Sequence, residues 1–233
     1  MITPPLPWIC IDIETRNPSE SEIQAAFAGW KPAGNVKDPE KIEAQRVEAE
    51  RKIKTKAGLL PAAPICSIAV QSPLECRVFH TLKPGQLDGV AHVPFESEPA
   101  MLLALRQYLD AWCPEQTKIV GHNVKGFDLP KLRLRFVRLG LRLPQILNPT
   151  TTVEVHDTMV LFARYFLGKR DDFVSLDEMT RELGIANGGK FFTGADVPGL
   201  VESGRHAEIV LYNATDAVLT ARAWQILTSQ VGA

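Results

Sequence analysis

The sequence has few of the residues that build a zinc site, a disulfide framework or a membrane span. Its four cysteines, Cys10, Cys66, Cys76 and Cys113, include no C-x-x-C pair, so the sequence predicts neither a zinc site nor disulfide bonds. The uncharged run at 57–70, AGLLPAAPICSIAV, is too short to cross a bilayer and contains two prolines. We therefore expect a protein of the reducing cytoplasm with no membrane partner.

The chain also lacks an excess of charge of either sign. Its 26 Lys and Arg against 27 Asp and Glu give a formal net charge of −1, so the whole chain is not a basic nucleic-acid binder. Any affinity for phosphate must then come from local patches or from bound metal. Because 233 residues with 45% hydrophobic content suffice for one large domain with an insertion, we predict a single domain over residues 1–233.

Alternating strand-like and helix-like segments predict an α/β protein with a mixed sheet. Strands are predicted at 8–14, 65–71, 76–82, 117–123 and 152–158. Helices are predicted at 38–58, 97–113, 127–140, 158–167, 176–184 and 208–227. The first three strands should be antiparallel, with a helical insertion at about 29–60 between the first and the second.

Helix capping residues support several of these boundaries. Asp38 followed by Pro39 suits the start of the helix in the insertion, and Ser97 suits the start of the next one. Ser175 with Glu178 matches the pattern of a capping box. The glycine-rich segment 186–199 is predicted to be a loop that leads into the final helix.

The first strand carries two carboxylates on one face. Side chains alternate along a strand, so Ile11 and Ile13 point one way, and Asp12 and Glu14 point the other. An edge strand with its charged face in water would have the same pattern. The spacing of this pair does not decide between a site and a solvated strand.

Further acidic residues follow at two later points of the chain. Asp128 comes just after the fourth predicted strand, where ligands gather in open α/β sheets; it could equally cap the helix that begins there. Tyr212 and Asp216 are four residues apart in the last predicted helix and so share a face. An ordinary amphipathic helix would also place a tyrosine there.

Taken in order, these residues resemble the DEDD superfamily of 3′→5′ exonucleases, in its tyrosine-containing (DEDDy) subgroup. The three motifs stand here as DIET at 12–15, HNVKGFD at 122–128 and YNATD at 212–216. The sequence is most similar to stand-alone, polymerase-type (family B-like) proofreading exonuclease domains of bacteria and phage, over 8–227. Asn213 departs from relatives that have cysteine after the tyrosine. The resemblance implies a ribonuclease-H-like mixed sheet flanked by helices.

The resemblance also implies a reaction. Asp12, Glu14, Asp128 and Asp216 would hold two Mg²⁺ or Mn²⁺ ions, with Asp12 bridging them, and the ions would clamp the scissile phosphate. Tyr212 would orient the attacking water, since a phenol is a poor base at neutral pH. The expected activity is hydrolysis of single-stranded DNA from its 3′ end, releasing nucleoside 5′-monophosphates.

Substrate contacts are expected from Thr15 at the terminal nucleotide, Asn123 near the scissile phosphate and Phe127 against a base. Basic residues of the helix after Asp128 could track phosphates or could form a solvated face; they are Lys131, Arg135, Arg138 and Arg142. A DNA polymerase or a repair protein is a possible partner. Two alternatives stay open: an exoribonuclease of the ribonuclease D type, and a catalytically silent nucleic-acid-binding module.

Overall fold

A six-stranded mixed sheet positions every other element in the computed structural model, which describes residues 6–168, 173–186 and 192–231. The sheet order is β4-β3-β2-β1-β5-β6. Its strands are β1 (Trp8–Thr15), β2 (Ile65–Gln71), β3 (Cys76–His80), β4 (Ala91–Pro94), β5 (Lys118–Gly121) and β6 (Val155–Asp157). Strands β1, β2 and β3 are antiparallel, as predicted, whereas β3–β4, β1–β5 and β5–β6 are parallel pairs.

Helices cover both faces of this sheet. They are α1 (Glu20–Phe27), α2 (Pro39–Thr55), α3 (Glu98–Trp112), α4 (Asp128–Arg138), α5 (Thr158–Phe166), α6 (Leu176–Glu182), α7 (Val197–Glu202) and α8 (His206–Val231). Apolar residues of α3 and α4 share the main core with the isoleucines of β1. Helices α7 and α8 pack on the opposite face, against β2 and β3, and α5 and α6 pack against α8. The predicted α/β class, a ribonuclease-H-like mixed sheet flanked by helices, is confirmed.

Strand β1 lies in the middle of the sheet and separates the two cores. Ile9, Ile11 and Ile13 are buried in the core under α3 and α4. Cys10 belongs to a cluster with Trp224 of α8 on the other face. The alternating side chains of β1 therefore face two buried cores. The alternative of an edge strand with one face in water is wrong. Asp12 consequently has its carboxylate on the α8 side of a central strand.

The insertion between β1 and β2 is more elaborate than predicted, since one helix at 38–58 was expected within an insertion at about 29–60. It holds two helices, α1 and α2, and a short 3₁₀ turn at Ala57–Leu59. Helix α1 begins with a complete capping box, because Ser19 accepts from the Glu22 N–H while the Glu22 carboxylate accepts from the Ser19 N–H. That signal was present in the sequence and was missed. Asp38 caps α2 as predicted.

Other local differences come from short elements. Strand β4 and helix α7, which the sequence analysis did not predict, have four and six residues, too few for a clear hydrophobic period. Ser97 and Ser175 cap α3 and α6 as predicted. Residues 187–191 of the predicted glycine-rich loop lie outside the described residues. Across the part of the chain that is described, no helix combines the length and apolar character needed to cross a bilayer.

The basic face predicted on α4 is wrong in part. Lys131 and Arg135 are 5% and 6% exposed, so they form neither a solvated face nor a track for phosphates. The Lys131 ammonium donates to the Leu60 carbonyl, and the Arg135 guanidinium donates to the Ala62 carbonyl at 3.0 Å. These two side chains therefore fasten the end of the insertion to the main core.

A buried ion pair completes this anchor. Arg135 donates twice to the Glu98 carboxylate, at 2.8 and 2.5 Å, and the same carboxylate accepts from the Ile65 N–H at 2.9 Å. The pair thus joins α4, α3 and the first residue of β2. Arg138, one turn later, makes only an exposed contact of 3.5 Å with Glu22.

The change Arg135→Ala should lower the free energy of unfolding by about 3–5 kcal/mol, because it leaves the Glu98 carboxylate buried without its cation. The matched control Arg138→Ala should cost less than about 1 kcal/mol, since that ion pair is exposed. Urea denaturation of both variants measures the difference. Equal losses in the two variants would contradict the anchoring role of Arg135.

Candidate active site

The carboxyl end of β1 forms the base of the candidate site. Pairing between β1 and β5 ends at Cys10↔Val120, whereas β1 continues to Thr15. Glu14 and Asp12 lie on this extension, on the face that α8 covers. Opposite them in the ladder stand two small residues of β2, Ser67 across from Glu14 and Ala69 across from Asp12. Small partners leave room for side chains from α8 to approach the two acids.

Asp128 reaches the same point from the other side of β1. It is the first residue of α4, is 3% exposed, and its Oδ1 accepts the Ile13 N–H at 3.0 Å. A tight turn after β5 makes this possible: a Cβ on Gly121 would lie 2.5 Å from Val124 Cβ and 3.0 Å from the Ile11 carbonyl oxygen. Only glycine fits there, so the chain can turn next to β1 and bring Asp128 to the N–H of Ile13, the residue between Asp12 and Glu14 on β1.

The loop between β5 and α4 is held by a further carboxylate, Asp157, at the end of β6. Its Oδ1 accepts the Asn123 N–H at 2.9 Å and its Oδ2 accepts the Lys125 N–H at 3.1 Å. It also caps α5 through the Met159 N–H. Because backbone donors engage both oxygens, Asp157 is a structural residue, although its charge contributes to raising the pKa of Asp128.

Helix α8 brings Tyr212 and Asp216 to the acids of β1. The Tyr212 hydroxyl donates to the Asp216 carboxylate one turn later. Burial, followed by the charges of Glu14, Asp216 and Asp12, raises the pKa of Tyr212 far above its ordinary value. The phenol therefore keeps its proton at neutral pH.

The pKa shifts show that all four acids lie close together in one cluster. The pKa of Asp12 is raised well above its ordinary value, first by burial and then by the charges of Asp128, Glu14 and Asp216. A hydrogen bond from Asn213 acts in the opposite direction. Burial also raises the pKa of Asp128 to about 8. Carboxylates from three separated segments thus share a site in which charge is costly without a cation.

The donor set of this cluster fits a hard divalent cation. Asp12, Glu14, Asp128 and Asp216 offer only carboxylate oxygens, which suit Mg²⁺ or Mn²⁺. Within the described ranges, no three His, Cys, Asp or Glu side chains already converge in the geometry of an ion site. Two of the acids are turned to protein donors instead: Asp12 accepts from Asn213 at 2.6 Å, and Asp128 accepts from the Ile13 N–H.

The three residues expected to touch substrate lie around this cluster. Thr15 is the last residue of β1, and its hydroxyl donates to the Gly58 carbonyl at 2.8 Å. Asn123 sits in the β5–α4 loop with a φ of 56°, and its side chain lies over Gly126, where a Cβ would come within 2.4 Å. Phe127 is half-buried and packs against the main core. Its contact with a base stays a prediction.

Two residues that sequence reasoning did not assign to the site are Ser67 and Asn213. Both are completely buried, and Asn213 contacts Asp12 directly. Asn213 could have been suspected, because it is a polar residue beside Tyr212 on a helix that must face the acids. Ser67 carried no signal of its own, since its relevance comes only from strand pairing with β1.

Comparison with protein-family models finds one matching family. Residues 67–227 match the family described as a predicted 3′→5′ exonuclease related to the exonuclease domain of PolB. The chain belongs to this family. The matched range contains Asp128, Tyr212 and Asp216 and begins after Asp12 and Glu14. No curated protein matches the chain. Membership in the family supports a nuclease function, and the family itself is a prediction of that activity.

Metal-free protein should lose stability as the pH rises. The folded-state pKa of Asp128, about 8, exceeds the value of about 4 for an exposed aspartate, so folding favours the protonated acid. That stabilisation is complete below about pH 4 and disappears as the pH rises through about 8. The melting temperature in EDTA should therefore fall between about pH 5 and pH 9.

The Asp128→Asn variant is the control, because its amide oxygen can still accept the Ile13 N–H while its charge is absent. The decline of its melting temperature with pH should be shallower than that of the wild type. If both proteins had the same pH slope, Asp128 would be ionised throughout and the cluster would be less repulsive than the structure indicates.

Proposed function

We propose that this protein is a metal-dependent 3′→5′ exonuclease of the tyrosine-containing DEDD subgroup, and that it releases nucleoside 5′-monophosphates from single-stranded DNA ends. One observation carries the proposal. The carboxylates of Asp12, Glu14, Asp128 and Asp216 come from a central strand and two helices, and the last three raise the pKa of the first. Such an accumulation of negative charge is relieved at neutral pH by protonation or by bound cations, and a set of four carboxyl groups suits divalent cations.

Each acid has a defined part in this proposal. Asp12 is central to the cluster and would be shared between two Mg²⁺ or Mn²⁺ ions, with Glu14 and Asp216 beside one and Asp128 beside the other. When bound, such ions supply charge neutralisation and Lewis-acid activation at a phosphodiester. Asp128 is held by the Ile13 N–H and so keeps its position beside β1.

Tyr212 would hold the attacking water by a hydrogen bond. Its raised pKa excludes proton abstraction by a phenolate at neutral pH, because the hydroxyl keeps its proton. The charges of Glu14, Asp216 and Asp12 all act on its pKa, so the hydroxyl lies next to the acids. The role is therefore one of alignment, which enters the activation barrier directly.

The burial of these acids distinguishes an enzyme from the silent binding module. A module that only bound nucleic acid would be weakened by buried carboxylates near the phosphates, since like charges repel. Three carboxylates close enough to raise the pKa of a fourth are useful where cations and a phosphate react. This favours hydrolysis over passive binding.

The choice of DNA over RNA rests on the likeness to proofreading exonucleases. A ribonuclease of the ribonuclease D type would use the same acids, because these residues contact phosphate and not the 2′-hydroxyl. Since the Thr15 hydroxyl is engaged with Gly58, a contact from Thr15 to the terminal nucleotide would come from its backbone. The proposal also includes contacts from Asn123 near the scissile phosphate and from Phe127 against a base. A DNA polymerase or a repair protein would be the protein partner.

Purified protein should shorten 3′-ended single-stranded DNA in Mg²⁺ or Mn²⁺ and be inactive in excess EDTA. Asp12→Asn should abolish the activity while keeping the fold, because the amide is isosteric and removes a repelling charge. The measurement uses matched DNA and RNA oligonucleotides labelled at the 5′ end, with circular dichroism of both proteins. RNA degraded faster than DNA would favour the ribonuclease alternative, and full activity in EDTA would contradict the metal dependence.

Tyr212→Phe should lower kcat by roughly 10²-fold, because one positioning hydrogen bond is lost while the ring and its packing remain. KM for single-stranded DNA should change little, since the hydroxyl acts mainly in the transition state. Steady-state kinetics on one oligonucleotide separate the two constants. A phenylalanine variant with the native kcat would show that Tyr212 is only a packing residue.

A further inference from the structure

Asn213 is a completely buried polar residue that follows the candidate catalytic tyrosine on α8. Its side chain makes two short hydrogen bonds. The amide Nδ2 donates to Asp12 Oδ2 at 2.6 Å, and the amide Oδ1 accepts from the Ser67 hydroxyl at 2.6 Å. Asn213 therefore stands between an acid of the candidate metal site and a serine that sequence reasoning did not assign to it.

The chemistry of the three groups permits one orientation of the amide. An ionised carboxylate only accepts hydrogen bonds, so the NH₂ group of Asn213 must face Asp12. With the NH₂ group on Asp12, the amide oxygen faces the Ser67 hydroxyl, which donates to it at 2.6 Å. The carboxylate therefore sets the orientation of the amide, and Ser67 holds the opposite end of the amide in place.

Strand pairing explains why the relay can form here. Ser67 lies across from Glu14 in the β1–β2 ladder, and Ala69 lies across from Asp12. Both small side chains face α8, which leaves space for an amide to enter between the sheet and the helix. The relay therefore connects β2, α8 and β1 at the position of the central acid.

We propose that Ser67 and Asn213 form a positioning relay that orients the Asp12 carboxylate for divalent cations. The inference rests on the proposed function, because it assigns a partner to an acid of that site. With Oδ2 held by Asn213, the Asp12 side chain cannot rotate freely, and its Oδ1 and the remaining lone pair of Oδ2 would stay available to cations. Residues that orient metal ligands in this way typically contribute about 10–100-fold to metal affinity or activity.

A purely structural role for Asn213 makes a different prediction. A buried amide that only satisfied its own hydrogen bonds would affect the free energy of unfolding when replaced, and would leave the metal affinity of the folded protein unchanged. The two roles are therefore separated by measuring cation binding directly and not by activity alone.

The experiment measures Mn²⁺ affinity by electron paramagnetic resonance and by calorimetry, without substrate, for folded wild type and variants. Asn213→Leu removes both hydrogen bonds at similar volume and should weaken Mn²⁺ binding by about 10-fold or more. Ser67→Ala should weaken it in the same direction by a smaller factor. The double variant should resemble Asn213→Leu, because both residues act through one chain of hydrogen bonds.

Thr220→Val is the matched control. Thr220 is also buried on α8, two turns after Asn213, and its change to an apolar residue of equal size should leave Mn²⁺ affinity unaltered. Kinetics on single-stranded DNA at saturating Mn²⁺ provide a second measurement: kcat of Asn213→Leu should fall while KM stays near its native value.

The outcomes separate this inference from the proposed function. If wild type bound no Mn²⁺, or if Asp12→Asn bound it as tightly as wild type, the proposed function itself would fail. If Asp12→Asn lost binding while Asn213→Leu kept native affinity, the relay alone would be overturned. Should Asn213→Leu not fold, Ser67→Ala decides, and a native Mn²⁺ affinity in that variant would overturn the relay.

Discussion

Mutual repulsion among buried carboxylates is the constraint on which this site depends. Asp12 lies on the central strand, and burial together with the negative charges of Asp128, Glu14 and Asp216 raises its pKa. Hydrogen bonds oppose that repulsion at three of the four acids. The backbone N–H of Ile13 holds Asp128, the amide of Asn213 holds Asp12, and the Tyr212 hydroxyl holds Asp216.

The scaffold around the acids is correspondingly rigid. Gly121 permits a turn that no larger residue would fit, and Asp157 fixes the following loop through two backbone N–H groups. The insertion is fastened by Lys131 and by the buried pair of Arg135 with Glu98. Several charged residues thus hold backbone segments around the site in place. The sequence pattern alone does not distinguish these buried residues from charged residues on the surface.

Much of the fold could be predicted because its signals are local. The alternation of β1, the caps at Asp38, Ser97 and Ser175, and the long final helix follow from side-chain period and from hydrogen bonds within a few residues. Short elements such as β4 and α7 were missed, since so few residues show no clear period. The basic residues of α4 were misplaced because burial of Lys131 and Arg135 depends on carbonyls of the distant insertion.

The sequence by itself determined the candidate acids and their order, because a motif is a local pattern of residue types and spacing. It also determined which face of β1 carries them, since the period of a strand is fixed by its backbone. Only the tertiary structure decided that Asp157 accepts from the loop backbone whereas Asp128 accepts from Ile13 beside Asp12. It also decided that Ser67 is linked to Asp12 through Asn213. The physical reason is that a side chain's role depends on which donors face it, and those donors come from segments far apart along the chain.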